Sequence, residues 1–162
     1  MKINYFALLL VSVFILSCEQ QGCTDSAALN FDPNATKDDG SCDYESENYV
    51  GVYTIHDSLK HVFSFTYAQG TREISIGPHP FQPVNLVFTN MFLSGTCTVF
   101  GSVSEGHFDF PAQTIRESDG TPSSYEISYL VGDFVGDSIY YKFTYTNSLG
   151  DPYSGGGSGK RQ

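Results

Sequence analysis

SYEISYLVGDFVGDSIYYKFTYT, Ser124 to Thr146, is the stretch that decides the fold class. It holds two runs crowded with β-branched and aromatic residues, Ser124 to Asp133 and Ser138 to Thr146. They join through Val135-Gly136-Asp137, where glycine and aspartate permit a hairpin. The same texture of short alternating runs, broken by Gly, Pro, Asn and Asp, extends back to Tyr49. The further strand candidates are Val50 to His56, His61 to Ala68, Arg72 to Gly77, Asn85 to Asn90, Thr96 to Val103 and Gly106 to Phe110. Within the second, Phe63, Phe65 and Tyr67 share one face while Val62, Ser64 and Thr66 share the other, a period of two and not of 3.6.

About eight closely spaced strands with no helical crossover predict an all-β domain over residues 49–146, an antiparallel meander. It closes as a small barrel or folds as a β-sandwich. A barrel of this size is either filled by its own side chains or holds one small ligand. Composition agrees with β structure: eleven Tyr and thirteen Phe stand against no Trp and two Met, and long runs of helix formers are missing. From Asn147 onward the chain turns glycine-rich, ending in Gly155-Gly156-Gly157-Ser158-Gly159-Lys160-Arg161-Gln162. Such a sequence offers nothing to a core, so residues 147–162 read as a flexible tail.

At the other end, Lys2 precedes an apolar run from Phe6 to Leu16 that is too short to span a bilayer comfortably. Residues 1–17 therefore read as a secretory signal. Ile15-Leu16-Ser17-Cys18 resembles the bacterial lipobox. The resemblance implies diacylglycerol on Cys18, cleavage before it and acylation, palmitate included, of the new amino group. The partner is then a membrane, through the lipid anchor, and the address is the outer membrane. Two or three acyl chains, at about 0.8 kcal/mol per buried CH₂, hold stably where one holds marginally. The other reading is an ordinary secreted protein whose Cys18 lies beside the cleavage site or joins a disulfide. With Cys18 acylated, Cys23 and Cys42 remain as a close pair in an oxidising compartment, and a loop of about 20 residues closed by their disulfide contributes on the order of 3 kcal/mol. Cys97 is left over, on the same strand face as Val99, and reads as a buried, inert thiol because no His or carboxylate motif accompanies it.

A formal charge of −10, with eight Lys and Arg scattered along the chain, excludes nucleic acid as a partner. Between Glu19 and Glu47 there are eight acidic residues and one basic one, Lys37. This acidic stretch, residues 18–48, is expected to be a stapled module or spacer. Its core, Gly22-Cys23-Thr24-Asp25 through Asn30-Phe31-Asp32-Pro33 to Asp38-Asp39-Gly40-Ser41-Cys42, is similar to a cysteine-bounded repeat of surface and secreted proteins of Bacteroidetes-type bacteria. Asp32, Asn34, Thr36 and Asp38 present side-chain oxygens at alternate positions, which partly mimics a calcium loop, and Asp32, Asn34, Asp38 and Asp39 are the candidate Ca²⁺ ligands of a looser site on the stapled loop. Against this, Lys37 stands where a helix-loop-helix site needs glycine, and the same residues also suit turns that hydrogen-bond their own backbone.

The β region has a resemblance of its own. Tyr49-Val50-Gly51-Val52-Tyr53-Thr54, Asn85 to Asn90, Thr98 to Val103, Phe108-Asp109-Phe110-Pro111-Ala112-Gln113 and Ser138 to Phe143 look like the lipocalin-like, or calycin-like, domains of small Bacteroidetes-type lipoproteins. That resemblance implies a non-enzymatic domain with no fixed ligand. Gly77 to Pro83 is expected to form a rim loop, and a small apolar ligand, a glycan or a protein partner is expected at that barrel mouth. An anchored hydrolase acting on glycan, or an interaction subunit of a surface complex, are the alternatives. His56, His61, His79 and His107 show no metal spacing, and the acid pairs Glu105 with Asp109 and Glu117 with Asp119 flank turns. No catalytic motif stands out.

Overall fold

The computed structural model describes residues 19–64, 67–91, 97–116 and 124–162, with Tyr67 and Arg116 described by backbone alone. Residues 1–18, on which the expected signal and the expected lipidation of Cys18 fall, lie outside the described residues. The chain divides into two compact units, with the boundary between Asp43 and Tyr44.

In the first unit, Gln21–Gly22 (β1) pairs in parallel with Lys37–Asp38 (β2). The Cys23–Cys42 disulfide staples it. Its polar residues fold the loop locally. Asp25, Asp32, Asp38 and Asp39 each accept a hydrogen bond from the backbone N–H two residues on, and the Asn30 amide bridges the Ser41 carbonyl and the Asp43 N–H. Apart from Cys23 and Ala28, little of this unit is buried, so covalent closure and turn chemistry do the work that a core does elsewhere.

The second unit opens with a short 3₁₀ helix, Glu45–Tyr49. There follow Gly51–His61 (β3), Tyr67–His79 (β4), Gln82–Thr89 (β5), Thr98–Ser104 (β6), His107–Phe110 (β7), Gln113–Arg116 (β8), Ser124–Val135 (β9), Ser138–Thr146 (β10) and Pro152–Arg161 (β11). Apart from β7 with β8, each pairs antiparallel with its neighbour in the chain, and β11 returns to pair with β3, which closes an eight-stranded barrel. β7 and β8 are two halves of one barrel strand, since both pair with the same edge of β9. Where Pro111 interrupts that strand, the Gln113 side-chain amide accepts from the Phe100 N–H and donates to the Phe100 carbonyl, replacing the lost ladder bonds of β6. Side chains alternate apolar inward and polar outward, as β10 displays along its length.

The interior is occupied by its own side chains. Phe88, Phe108, Phe110 and Phe134 meet edge to face at one end, with ring centroids 4.7–6.3 Å apart. Glycines make room for them: a Cβ on Gly101 would lie 2.1 Å from the Phe110 ring, and one on Gly132 would lie 2.4 Å from Phe108. The 3₁₀ helix covers this end. Tyr49 stacks on Phe134 at 4.2 Å, Ser46 donates to the Pro83 carbonyl, and Glu45 accepts from the N–H groups of Glu105 and Gly106. The other half of the interior is richer in tyrosine, with Tyr141, Phe143, Tyr145 and Tyr153 stacked in sequence.

Three expectations are corrected. Residues 147–162 are not a flexible tail: β11 is the strand that closes the barrel. Its glycines answer to neighbours, because a Cβ at Gly155, Gly157 or Gly159 would fall 2.3–2.6 Å from the carbonyl oxygens of Ser58, His56 and Thr54 on β3. His61 to Ala68 is not one strand. β3 and β4 pair from Gly51 with Ile76 to Lys60 with Tyr67, which leaves Val62 to Ser64 at the hairpin tip, and Phe63 there is 81 % exposed. Nor is Gly77 to Pro83 a rim loop, since it lies almost wholly in β4 and β5, joined by a tight hairpin at Pro80 and Phe81.

Candidate functional site

The outer wall of the barrel carries a groove of about 1210 Å³, centred on β11. Its origin is the pairing register. On the outward face, Ser154, Gly156 and Ser158 of β11 stand between Thr144, Lys142 and Tyr140 of β10 on one side and Lys60, Ser58 and His56 of β3 on the other. A strand with almost no side chains between two strands with long ones makes a trough. Its floor is backbone and serine. Its banks are Tyr140 and Lys142 on one side and His56 and Lys60 on the other.

The next strands extend the banks. Tyr140 pairs with Asp133, Lys142 with Val131 and Thr144 with Tyr129 on β9, while His56 pairs with Thr71 and Ser58 with Gln69 on β4. Tyr140 is 51 % exposed and Tyr129 41 % exposed, although both have core positions beside them in the chain. Four residues of strand separate the levels of these two rings, about 13 Å at the usual rise. Polar partners are close at hand: His56 Nδ1 lies 2.7 Å from Thr71 Oγ1, and His107 Nδ1 lies 2.8 Å from Asp133 Oδ1.

Directly beneath the floor is a polar cluster within the barrel. Arg72 donates to Asp57 and to the Met91 carbonyl, and the Tyr141 hydroxyl donates to Asp57 Oδ2 at 3.2 Å, passing over Gly157. Burial pushes the Asp57 carboxyl above the ordinary aspartate range, with Arg72 and the Tyr141 hydroxyl opposing. Burial and the neighbouring Asp57 push the Tyr141 phenol strongly up. Asp57 Oδ1 and Arg72 Nε and Nη1 are buried without a hydrogen-bond partner among the described residues. With 2 % of its side chain exposed, Asp57 cannot meet a molecule lying in the groove. The cluster supports the floor from behind.

The sequence-derived candidates fall elsewhere. Cys23 and Cys42 are joined in the first unit, and Cys97 is fully buried in the barrel core. Asp32, Asn34, Asp38 and Asp39 are not gathered round one point: Asp32 accepts from Asn34 and Gln20, Asp38 from Gly40 and Asp39 from Ser41. Hydrogen bonds from Ser41 hold the Asp39 carboxyl below its ordinary range. Among the described residues no group of three His, Cys, Asp or Glu side chains could hold a metal ion. His56 and His107 line the groove, whereas His61 faces Asp151 at 3.7 Å and His79 sits with Phe100 and Phe81 at the β4–β5 hairpin. Glu105 occupies a turn with φ 53°, Asp109 lies on β7, and Glu117 and Asp119 lie outside the described residues.

Sequence reasoning passed over the residues that build the groove, because half of its floor was assigned to a tail. One signal was available: Tyr140 and Lys142 alternate with Ile139, Tyr141 and Phe143, which marks a tyrosine pointing away from the core.

Compared with known proteins, the chain matches no family model and no curated protein.

Proposed function

We propose that the protein is a lipid-anchored binding protein of the outer membrane whose barrel takes a glycan in the groove over β11. The observation that carries this reading is the exposed ring of Tyr140 on the bank of an open trough lined by hydroxyl, amide, imidazole and ammonium groups together with Tyr129, Val131 and the Asp133 carboxylate. Sugar rings present an apolar face to an aromatic side chain and hydroxyls to such polar groups. At about 1210 Å³ and open along its length, the groove exceeds the roughly 300–1,000 Å³ of small-molecule pockets and suits a chain-like ligand. An apolar ligand inside the barrel has the space taken by Phe88, Phe108, Phe110, Phe134 and Tyr141.

Binding is favoured over hydrolysis because the acids at the groove are committed. Asp57 is sealed beneath the floor against Arg72, and Asp133 pairs with His107, whereas glycoside hydrolysis needs two carboxylates flanking the scissile bond. The anchor rests on the Ile15 to Cys18 motif. Two experiments test the reading. Titrating the purified chain with a panel of soluble oligosaccharides, followed by NMR, should perturb Tyr140 and Ser158, and Tyr140→Ala should abolish binding. Perturbations confined to His79, Phe81 and Phe100 would move the site to the β4–β5 hairpin and overturn it. For the anchor, Cys18→Ser should prevent lipid labelling and release the protein from membranes.

A further inference from the structure

Of the cations in the barrel whose side chains are described, Arg72 pairs with Asp57 and Arg161 with Asp137. Lys60, Lys142 and Lys160 make no ion pair among the described residues. All three point outward from adjacent strands: Lys60 on β3 and Lys142 on β10 form opposite banks of the groove, and Lys160 follows Ser158 as the next outward residue of β11. The banks are two strand spacings apart, about 10 Å, so one bound chain lies within reach of both. In a protein of formal charge −10, Lys60 and Lys142 thus face one trough, with Lys160 one outward position beyond it; of the two acids among the groove residues, Asp57 is paired with Arg72 beneath the floor and Asp133 lies exposed beside the His107 imidazole.

We infer that the groove selects an acidic glycan, one bearing carboxylate or sulfate groups, with Lys60 and Lys142 engaging the charges while Tyr140 stacks against a sugar ring. This rests on the glycan-binding reading of the same groove and adds the ligand's charge to it. The chemistry divides between the two kinds of side chain. Stacking on Tyr140 is indifferent to charge, whereas an ammonium group gains from an anion and gains less as salt rises.

The test uses the purified full chain in detergent and oligomers of galacturonate, of mannuronate and of a sulfated galactan, each alongside its neutral counterpart, the methyl ester or the desulfated chain. At least one acidic oligomer should bind about tenfold tighter than its neutral form at low salt, the combined contribution of two or three exposed charge pairs, and the margin should shrink as salt is raised. The double substitution Lys60→Ala/Lys142→Ala should abolish the acidic oligomer's margin over its neutral form and the salt dependence of that margin, while Tyr140→Ala should weaken both oligomers and keep the margin. Equal affinity for acidic and neutral forms overturns the inference and leaves the glycan groove standing. No binding by any oligomer overturns both. A polyglutamate peptide that binds as tightly as the best acidic oligomer, with no effect of Tyr140→Ala, overturns the glycan class.

Discussion

β10 and β11 lie side by side over nine paired residues and reach stability by opposite means. β10 presents Ile139, Tyr141, Phe143 and Tyr145 to the interior, every one of them buried. β11 presents Gly155, Gly157 and Gly159 at the matching positions, where the rings of β10 and the backbone of β3 already fill the space. One strand brings volume and the other makes way for it. Glycine costs a strand conformational entropy and packs nothing itself, so the bare strand persists only because its neighbours are large.

That dependence can be broken from either side. The largest effect is expected from Phe143→Ala, which empties the space above Gly155 and should destabilise the barrel by about 3–5 kcal/mol in a urea titration. Next comes Gly157→Ala. The added Cβ would meet the Asp57 Cβ and the His56 carbonyl oxygen at 2.6 Å, and overpacking of this kind costs about 1–3 kcal/mol. The loss should register as faster hydrogen exchange in β3 and β11 before it reaches the Phe88 cluster. A gain in stability from this substitution would mean that β11 is held far from β3. Tyr141→Phe keeps the ring over Gly157 and removes only the hydroxyl bound to Asp57, so its cost should be about 1.5 kcal/mol. If it equals that of Phe143→Ala, the hydrogen bond rather than the ring covers the glycine.

The smallest effect concerns the opposite end of the barrel, where polar contacts of the 3₁₀ helix join the aromatic packing. Burial raises the Glu45 carboxyl, but the N–H groups of Gly106 and Glu105 and the Tyr49 hydroxyl outweigh it and hold the group below its ordinary 4.5. A carboxylate depressed in the folded state stabilises above the unfolded value, and that stability is lost as pH falls from 4.5 through the folded one. Glu45→Gln should therefore lower stability at neutral pH by a small amount, converge with the unaltered chain as pH falls, and so flatten part of the acid limb of a stability curve. Asp57, raised by burial, acts with the opposite sign. The comparison that isolates Glu45 is accordingly the variant against the unaltered chain at each pH.

How far the sequence could be read follows the same contrast. β10 was legible because its inward and outward residues differ in kind, and the hairpin at Gly136 because its φ of +59° suits glycine. The barrel class and the Cys23–Cys42 link were legible for equally local reasons. β11 was not, since the cause of its glycines lies in the carbonyl groups of β3, a hundred residues upstream. β8 was missed because four residues after Pro111 form a strand only with the Gln113 amide bridging to Phe100. His61 to Ala68 misled in the reverse sense. Its alternation satisfies a strand pattern, yet the register of β3 against β4 puts Val62 to Ser64 at a hairpin tip and its two ends on different strands. The groove was hidden along with β11, although its banks, Tyr140 and Lys142, belong to the best-read strand of all.

Closure by β11 also sets an order of events. β3 is the first barrel strand to be synthesised and must wait for residues 152–161, about a hundred residues later, before its second edge is satisfied. Until then both β3 and β10 expose unpaired backbone, the kind of edge that recruits other chains. Contacts spanning so much sequence are slow to form, and glycine supplies no side chain to hasten the search. The barrel therefore stays open along the β3 and β10 edges until β11 is in place, and any delay in that one strand leaves two edges exposed at once.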